Sequence, residues 1–188
     1  MFSYSNYLEN LNKTIKLLNE NDLDRLKNMI VDKITNNQNI FLIGNGGSAG
    51  NAIHIANDFL CGLSMYADTK CKVNALPSNQ SANTCLANDI GYDLIFEKQL
   101  EVLASPGDLL ISFTGSGNSK NIINAIQYAN RNKIDSFLLV GFDGGECLKL
   151  SSNFIHNNIN DMQISEDLQL IIFHMIYRSL LAYFKKDS

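Results

Sequence analysis

The sequence predicts a three-layer α/β domain, in which helices cover both faces of a parallel sheet, with an N-terminal helical extension. Three observations carry this prediction. Short apolar runs alternate with longer amphipathic segments, which is typical of strands and helices in a parallel sheet. A glycine-rich turn follows two of these runs. The length of 188 residues, with 45% hydrophobic and 18% charged residues, suits one globular domain.

The first 37 residues are predicted to form two helices, because apolar residues recur there every three to four positions. The first series runs from Tyr4 to Leu18 and the second from Leu23 to Ile34. We therefore divide a single predicted domain, residues 1–188, into N-terminal helices (1–37) and an α/β core with a C-terminal helix (38–188).

After these helices the pattern changes to short apolar runs. Residues 40–43 form the first predicted strand, followed by a glycine turn and a helix over 49–60. Later strands are predicted at 71–76, 109–113, 136–141 and 153–156. A long helical pattern over 164–184 closes the chain.

Charge and hydropathy exclude several classes of partner. The net charge is −4 without a basic run, so the surface repels a phosphate backbone and we expect no nucleic-acid partner. No apolar stretch approaches the roughly 20 residues of a membrane span, and the N-terminus lacks the apolar block of a signal peptide. We expect a cytoplasmic protein without a membrane partner. The four cysteines form no C-x-x-C pair, so reduced, buried thiols are expected.

Two glycine-rich loops are the best candidates for ligand binding, because ligands of parallel sheets bind beyond the carboxyl ends of strands. The first loop contains Asn45, Gly46, Gly47 and Ser48, and the second contains Thr114, Gly115, Ser116 and Ser119. Backbone N–H groups and hydroxyls in such loops suit a phosphate. Neither loop matches the nucleoside-triphosphate or dinucleotide fingerprint, which favours a small phosphorylated ligand over simple tight turns.

Two pairs of titratable residues could carry chemistry. His54 and Asp58 are four apart on a predicted helix, so they share one face and could share a metal or a proton. Glu166 and His174 are eight apart, or about 12 Å along a helix axis, which one zinc ion can barely bridge. Either Glu166 belongs to the loop before the last helix, or these two residues serve sites in different subunits.

Five motifs in order resemble the sugar isomerase (SIS) domain of bacterial phosphoheptose isomerases, enzymes that act on sedoheptulose 7-phosphate. They are GNGGSA at 44–49, His54 in the following helix, ANDIGY at 87–92, SGNS at 116–119 and DGG at 143–145. The resemblance implies a flavodoxin-like doubly wound sheet, a homotetramer with active sites between subunits, and conversion of this ketose into D-glycero-D-manno-heptose 7-phosphate through an enediol. The product would feed heptose into lipopolysaccharide or capsule.

The resemblance also assigns roles to residues. Thr114, Gly115, Ser116 and Ser119 would hold the phosphate. The rest of the substrate would be reached by Asn45, Gly46, Gly47, Ser48, Asn88, Asp89 and Glu166. His54 and His174 match zinc-binding positions, and His174 also matches a catalytic acid or base.

The chain departs from the family pattern at two of the metal positions. Asp58 stands where a glutamate is usual, and Glu166 stands where a glutamine is usual. We expect compensation, with zinc held by His54, Asp58, Glu166 and His174, and proton transfer by Asp58 and His174, because all four side chains can bind a metal. The alternative is lost isomerase activity with sugar-phosphate binding retained.

Two other functions are compatible with the same loops. One is a non-catalytic SIS protein that senses a sugar phosphate or associates with a replication initiator. The retained pair His54 and His174 favours an enzyme, because a pure binding module needs no acid-base imidazole. The other is isomerisation of an aminosugar phosphate, which usually requires a tandem or nitrogen-handling domain for which 188 residues leave no room.

Overall fold

One parallel sheet of five strands forms the centre of the computed structural model, which describes residues 3–185; the outermost residues of the predicted 1–188 domain lie outside the described part. The strands are β1 (Asn39–Ile43), β2 (Lys72–Ala75), β3 (Leu109–Thr114), β4 (Asp135–Val140) and β5 (Phe154–His156). Their order is 2-1-3-4-5 and all neighbours are parallel. This is the flavodoxin-like doubly wound order, which confirms the predicted fold class.

Nine α-helices within the described residues surround the sheet. They are α1 (Tyr4–Ile15), α2 (Glu20–Thr35), α3 (Gly46–Asn57), α4 (Leu63–Ala67), α5 (Gln80–Asp89), α6 (Ile95–Leu103), α7 (Lys120–Arg131), α8 (Gly145–Leu150) and α9 (Met162–Lys185). A π-helical turn, Asp58–Gly62, joins α3 to α4, and 3₁₀ turns cover Leu76–Ser78 and Tyr92–Leu94. The helices at the two ends of the chain and the five predicted strands are confirmed.

The alternation of side chains along the strands builds a core on each face of the sheet. In β1, Ile40 and Leu42 enter a cluster with α2, α3 and α9, whereas Phe41 and Ile43 enter a cluster with α6 and α7. Successive side chains of a strand point to opposite faces, so a strand buried on both faces is apolar throughout. This explains why the strands are short uninterrupted apolar runs.

The strand order places the two glycine-rich loops side by side. The chain leaves β1 towards β2 on one side, whereas β3 leads to β4 and β5 on the other side. Ile43 at the end of β1 pairs with Ser112 near the end of β3. A crevice therefore opens between the loops that follow β1 and β3, at the point where the strand order reverses.

The N-terminal helix α1 is tied to α9 at the same end of the sheet. The Tyr7 hydroxyl donates a hydrogen bond of 2.5 Å to Oδ2 of Asp167, which directly follows Glu166. This hydrogen bond and burial raise the pKa of Tyr7 to about 12. The helical extension thus packs against the helix that carries two predicted site residues.

Two expectations require correction. The helix after β1 begins at Gly46 rather than at residue 49, because Asn45 has extended backbone and serves as the N-cap, and the α-helix gives way to the π-turn at Asp58. Cys71 and Cys147 are buried, and burial raises the pKa of each thiol to about 12. Cys61 and Cys85, in contrast, are exposed, so the expectation of four buried thiols was wrong.

No helix within residues 3–185 combines the length and the apolar character that a membrane crossing requires. The long helix α9 carries Glu166, Asp167, His174 and Arg178 among its apolar residues.

Candidate active site

The loop between β3 and α7 presents an open helix N-terminus. Thr114 Oγ1 accepts a hydrogen bond from the Gly117 amide at 3.1 Å, which folds the loop back on itself. Gly117 has a φ of 69° and lies against the Gly144 backbone, so no other residue fits there. The N-cap, Ser119, makes no side-chain capping bond. The first two amides of α7 and this hydroxyl are therefore available to an anion, as the positive end of a helix dipole favours.

The loop between β1 and α3 has similar residues but is filled from inside the protein. Asn45 also makes no side-chain capping bond to its own helix. Ser48 Oγ is buried and accepts a hydrogen bond of 3.0 Å from the side-chain amide of Gln169 on α9. A side chain at Gly47 would overlap the Glu166 carboxylate, so Gly47 allows this carboxylate to lie against the start of α3.

A cleft of about 260 Å³ lies between the two loops. Its lining comprises Asn45, Gly46, Gly47, Ser48, Phe113, Thr114, Gly115, Ser116, Ser119, Met162 and Glu166. Nine of the eleven predicted substrate-binding residues, all except Asn88 and Asp89, line this cleft together. No lysine or arginine belongs to this lining among residues 3–185, so backbone amides and hydroxyls supply the donors.

His54, Asp58 and His174 meet about two turns of helix away from this cleft. Nε2 of His54 lies 3.1 Å from Nε2 of His174. Oδ2 of Asp58 lies 3.4 Å from Nε2 of His54 and 3.7 Å from Nε2 of His174. The side chains of the two histidines are 49% and 50% exposed and that of Asp58 is 25% exposed, so the cluster is open to solvent and to ligands.

The donor set of this cluster fits a divalent metal ion such as zinc. Zinc binds imidazole nitrogen and carboxylate oxygen at about 2.0 to 2.2 Å, and tetrahedral geometry then separates neighbouring donors by about 3.3 to 3.6 Å. The three observed separations, 3.1, 3.4 and 3.7 Å, lie within or close to this range. Two neutral imidazoles and one carboxylate leave one position for another ligand, as in catalytic zinc sites.

The π-helical turn that begins at Asp58 packs against α9. Gly62, at its end, leaves room for the Tyr177 hydroxyl, and the Tyr177 ring stacks on Phe59 at a centroid distance of 6.4 Å. Burial and the negative charge of Asp58 raise the pKa of Tyr177. Such π-turns occur often at functional sites, and here the first residue of the turn is the cluster residue Asp58.

Glu166 does not join this cluster. It lies in α9, so the alternative that placed it in a loop was wrong. Among residues 3–185, the group with converging ligand atoms is His54, Asp58 and His174. Glu166 instead faces Gly47 at the cleft, and its predicted role as a ligand of the same ion has no support in the geometry of one chain.

Asn88 and Asp89 end helix α5 and are exposed. Asn88 Nδ2 donates to Asp89 Oδ1 at 2.8 Å, and neither residue belongs to the lining of the cleft in the described part of the chain. Their predicted contact with substrate therefore requires movement or a second copy. His156, to which no role was assigned, forms a 2.9 Å hydrogen bond with the Phe142 carbonyl.

Comparison with known proteins shows the same combination of fold and motifs. The sequence model of the SIS domain matches residues 3–135. A phosphoheptose isomerase from Aliarcobacter butzleri is 36% identical over 168 residues, covering 89% of this chain and 88% of that protein. The chain belongs to the phosphoheptose isomerase family of SIS domain proteins.

Solved structures agree with this membership. The phosphoheptose isomerase GmhA from Neisseria gonorrhoeae superimposes with a TM-score of 0.85 and 25% identity, covering 94% of this chain and 93% of that one. A phosphoheptose isomerase from Francisella tularensis shares the fold with the same TM-score, at 22% identity over 93% of this chain and 92% of its own.

The sequence analysis of this phosphoheptose isomerase family member missed the residues that join α3 to α9 and the residues that hold the side chain of Asn45. Asn51 and Gln169 join α3 to α9 by a 2.9 Å hydrogen bond, and Asn121 and Tyr92 both bind the side chain of Asn45. A signal existed for Asn121, because it lies on the buried face of α7, which is otherwise apolar. A polar residue on such a face needs a hydrogen-bond partner.

Proposed function

We propose that this isomerase converts sedoheptulose 7-phosphate into D-glycero-D-manno-heptose 7-phosphate through an enediol. The observation that carries the proposal is the convergence of His54, Asp58 and His174 on one point of the α3–α9 pair. The other end of the same helix pair borders the anion-binding cleft. A ligand held there by its phosphate can therefore extend towards two imidazoles and a carboxylate.

The distance between the two ends supports a long sugar. Helices α3 and α9 run side by side, because Gly47 adjoins Glu166 and His54 adjoins His174. Eight residues separate Glu166 from His174, a rise of about 12 Å. In an extended heptulose 7-phosphate the phosphorus lies about 9 Å from C2, given bonds of about 1.5 Å, and in a pentulose 5-phosphate about 6 Å. Hydrogen bonds at each end add the remainder for the longer sugar.

Asp58 and His174 would carry the proton transfers. One group removes a proton from C1 while the other protonates the C2 oxygen, which yields the enediol; the reverse transfers at O1 and C2 yield the aldose. Both contacts of Asp58 to the histidines involve Oδ2. This leaves Oδ1 of Asp58 as the oxygen that can accept a proton.

Zinc is the proposed metal, held by His54, Asp58 and His174. When bound, it would polarise the substrate carbonyl and orient the neighbouring hydroxyl. The chain's own contribution is to hold three donors within 3.7 Å of one another, on α9 and at the end of α3, two helices that the Asn51–Gln169 hydrogen bond joins. Glu166 remains at the cleft, where its carboxylate can accept hydrogen bonds from sugar hydroxyls.

A homotetramer with active sites between subunits would complete the site. Apolar side chains are exposed beside the π-turn, namely Leu60, Met65 and Tyr66. Their burial by another copy would cover an apolar surface next to Asp58. A second copy could also bring Asn88 and Asp89 to the cleft that they do not reach within their own chain. Light scattering of the purified protein tests the assembly, and a fully active monomer would contradict it.

The proposed setting is the cytoplasm, where the product would supply heptose to lipopolysaccharide, capsule or other surface glycans. Sugar-phosphate isomerases act on soluble intermediates, and nothing in this function requires a membrane or a nucleic acid. The acidic balance of the chain, −4, agrees with a small-molecule substrate rather than a nucleic acid.

The deciding assay is incubation of the purified protein with sedoheptulose 7-phosphate, followed by detection of the aldoheptose phosphate by NMR. We expect turnover that a chelator removes and added zinc restores. Ketose phosphates with five and six carbons should turn over more slowly, because their carbonyls fall short of the histidines. Binding of the heptulose without product under either condition would instead favour a sugar-phosphate sensor.

A further inference from the structure

The side chain of Asn121 is polar yet almost completely buried. Asn121 is the second residue of α7, directly after the loop with the open helix N-terminus, and it is 1% exposed. Burial of an unpaired amide is costly, so the protein must satisfy its hydrogen bonds internally. It does so through a residue of the other glycine loop.

Asn121 and Asn45 form a reciprocal pair of hydrogen bonds. Nδ2 of Asn45 donates to Oδ1 of Asn121 at 2.9 Å, and Nδ2 of Asn121 donates to Oδ1 of Asn45 at 2.8 Å. The Ile122 amide also donates to Oδ1 of Asn121 at 3.0 Å. Because an amide nitrogen cannot accept that bond, the orientation of both carboxamides is determined.

A third segment joins the pair. The Tyr92 hydroxyl, in the 3₁₀ turn after α5, donates to Oδ1 of Asn45 at 2.8 Å. The same turn is tied to α7 again, because Asn124 Nδ2 donates to the Asp93 carbonyl at 2.9 Å. The side chain of Asn45 therefore forms hydrogen bonds across the crevice instead of capping α3.

We propose that Asn121 is a positioning residue that holds the two glycine loops at the separation that a sugar phosphate requires. It touches no substrate itself and acts through Asn45, which lines the cleft. This inference rests on the proposed function, because it concerns the phosphate end of the same site. The distant group His54, Asp58 and His174 should not depend on it.

The test compares Asn121→Ala with Asn130→Ala. Asn130 lies on the same helix and donates one 2.9 Å hydrogen bond to the Leu150 carbonyl, away from the cleft, so it is a matched control. Affinity for inorganic phosphate is measured by calorimetry, and affinity for Co²⁺ at the histidines by its absorption spectrum. Amide hydrogen exchange is followed in residues 44–48 and 114–119.

Loss of the reciprocal pair should weaken phosphate binding by about ten-fold in Asn121→Ala. KM for the sugar phosphate should rise with kcat almost unchanged, and exchange of both loops should accelerate. Co²⁺ affinity should remain that of the wild type, and Asn130→Ala should match the wild type in every measurement. Tyr92→Phe, which removes one hydrogen bond at an exposed site, should show the same pattern at about two- to five-fold.

Wild-type phosphate affinity in Asn121→Ala would overturn the proposal. An equal loss of phosphate and Co²⁺ affinity would also overturn it, since that result indicates a general role in folding. If Asn121→Ala does not fold, Tyr92→Phe decides, and unchanged phosphate affinity in that variant rejects the proposal. The phosphate and Co²⁺ measurements remain informative even if sedoheptulose 7-phosphate is not the substrate.

Discussion

The two glycine loops have similar sequences but different states in the folded protein. After β3, the N-cap Ser119 makes no side-chain capping bond and the start of α7 is open. After β1, Ser48 is bound by Gln169 and the carboxylate of Glu166 lies against Gly47. One loop therefore offers its amides to a ligand, whereas an internal anion already faces the other.

This difference teaches that a glycine loop's composition does not reveal its occupant. Both helix N-termini attract negative charge, but at α3 the carboxylate of Glu166 already occupies this position. In the proposed function, a substrate phosphate would therefore bind at α7, and the sugar would lie beside Glu166 and extend along α3 towards His54.

The largest expected effect is a loss of turnover without a loss of phosphate binding, because Asp58 lies away from both glycine loops. Asp58→Asn should reduce kcat by about 10²- to 10⁴-fold, because it removes a proton acceptor, while phosphate affinity changes little. Steady-state kinetics and calorimetry measure the two quantities. Asp68→Asn makes the same chemical change at an exposed residue outside the site and should behave as wild type. Normal turnover in Asp58→Asn would remove Asp58 from the mechanism.

The second prediction places a carboxylate at the loop after β3, as the Glu166 carboxylate already lies at the loop after β1. Ser119→Asp places a carboxylate at the N-cap of α7, where aspartate caps well, so the melting temperature should stay equal or rise. Phosphate affinity should fall by about 100-fold or more because of charge repulsion. Ser119→Ala, which removes only the hydroxyl, should lose about ten-fold. Equal losses in the two variants would argue against an anion at this helix end.

The third prediction tests the packing of Glu166 on Gly47. Gly47→Ala introduces a Cβ that overlaps the carboxylate of Glu166, which must turn away from the start of α3, so the variant should be about 0.3 to 1 kcal/mol less stable than one with alanine at an unobstructed position of the same helix. Gly50→Ala is the matched control on the same helix, because a Cβ there meets no atom within 4 Å. It should stabilise α3 by about 0.5 to 1 kcal/mol. Urea denaturation measures both values, and equal behaviour of the two variants would refute the close approach.

The smallest expected effect concerns the charge of Glu166. Glu166→Gln should lower stability by about 0.3 to 1 kcal/mol, because a neutral amide interacts less with the dipole of α3. Phosphate affinity should rise by a few-fold at low salt, since a nearby negative charge is lost, and the gain should shrink as salt screens it. Weaker phosphate binding in Glu166→Gln would indicate that the carboxylate assists the anion rather than repelling it.

Much of the fold was predictable because its signals are local. The five apolar runs predicted five strands, and helical spacing predicted the helices at both ends. The exact start of α3 was missed, since the extended backbone of Asn45 and the positive φ of Gly46, 53°, depend on the folded loop. Burial of Cys61 and Cys85 was wrongly expected, because thiols are apolar enough for the core but these two lie on exposed helical positions.

The candidate site was predictable as a set of residues but not as an arrangement. The order of the motifs along the chain predicted both glycine loops, His54 and His174 as parts of the site. The separation of Glu166 from the histidine cluster could not be predicted, since a helix spacing of eight residues is compatible with either one site or two. The network around Asn121 was missed because its partner Asn45 is 76 positions away.

The sequence by itself determined the strand–loop–helix order, the chemical types of the site residues and the family. These features follow from hydrophobic periodicity and from neighbouring residues. Tertiary structure alone decided which groups meet, because hydrogen-bond and metal-ligand geometry requires atoms within a few ångströms. His54 and His174, 120 residues apart in the chain, come within 3.1 Å only because α3 and α9 pack side by side on one face of the sheet.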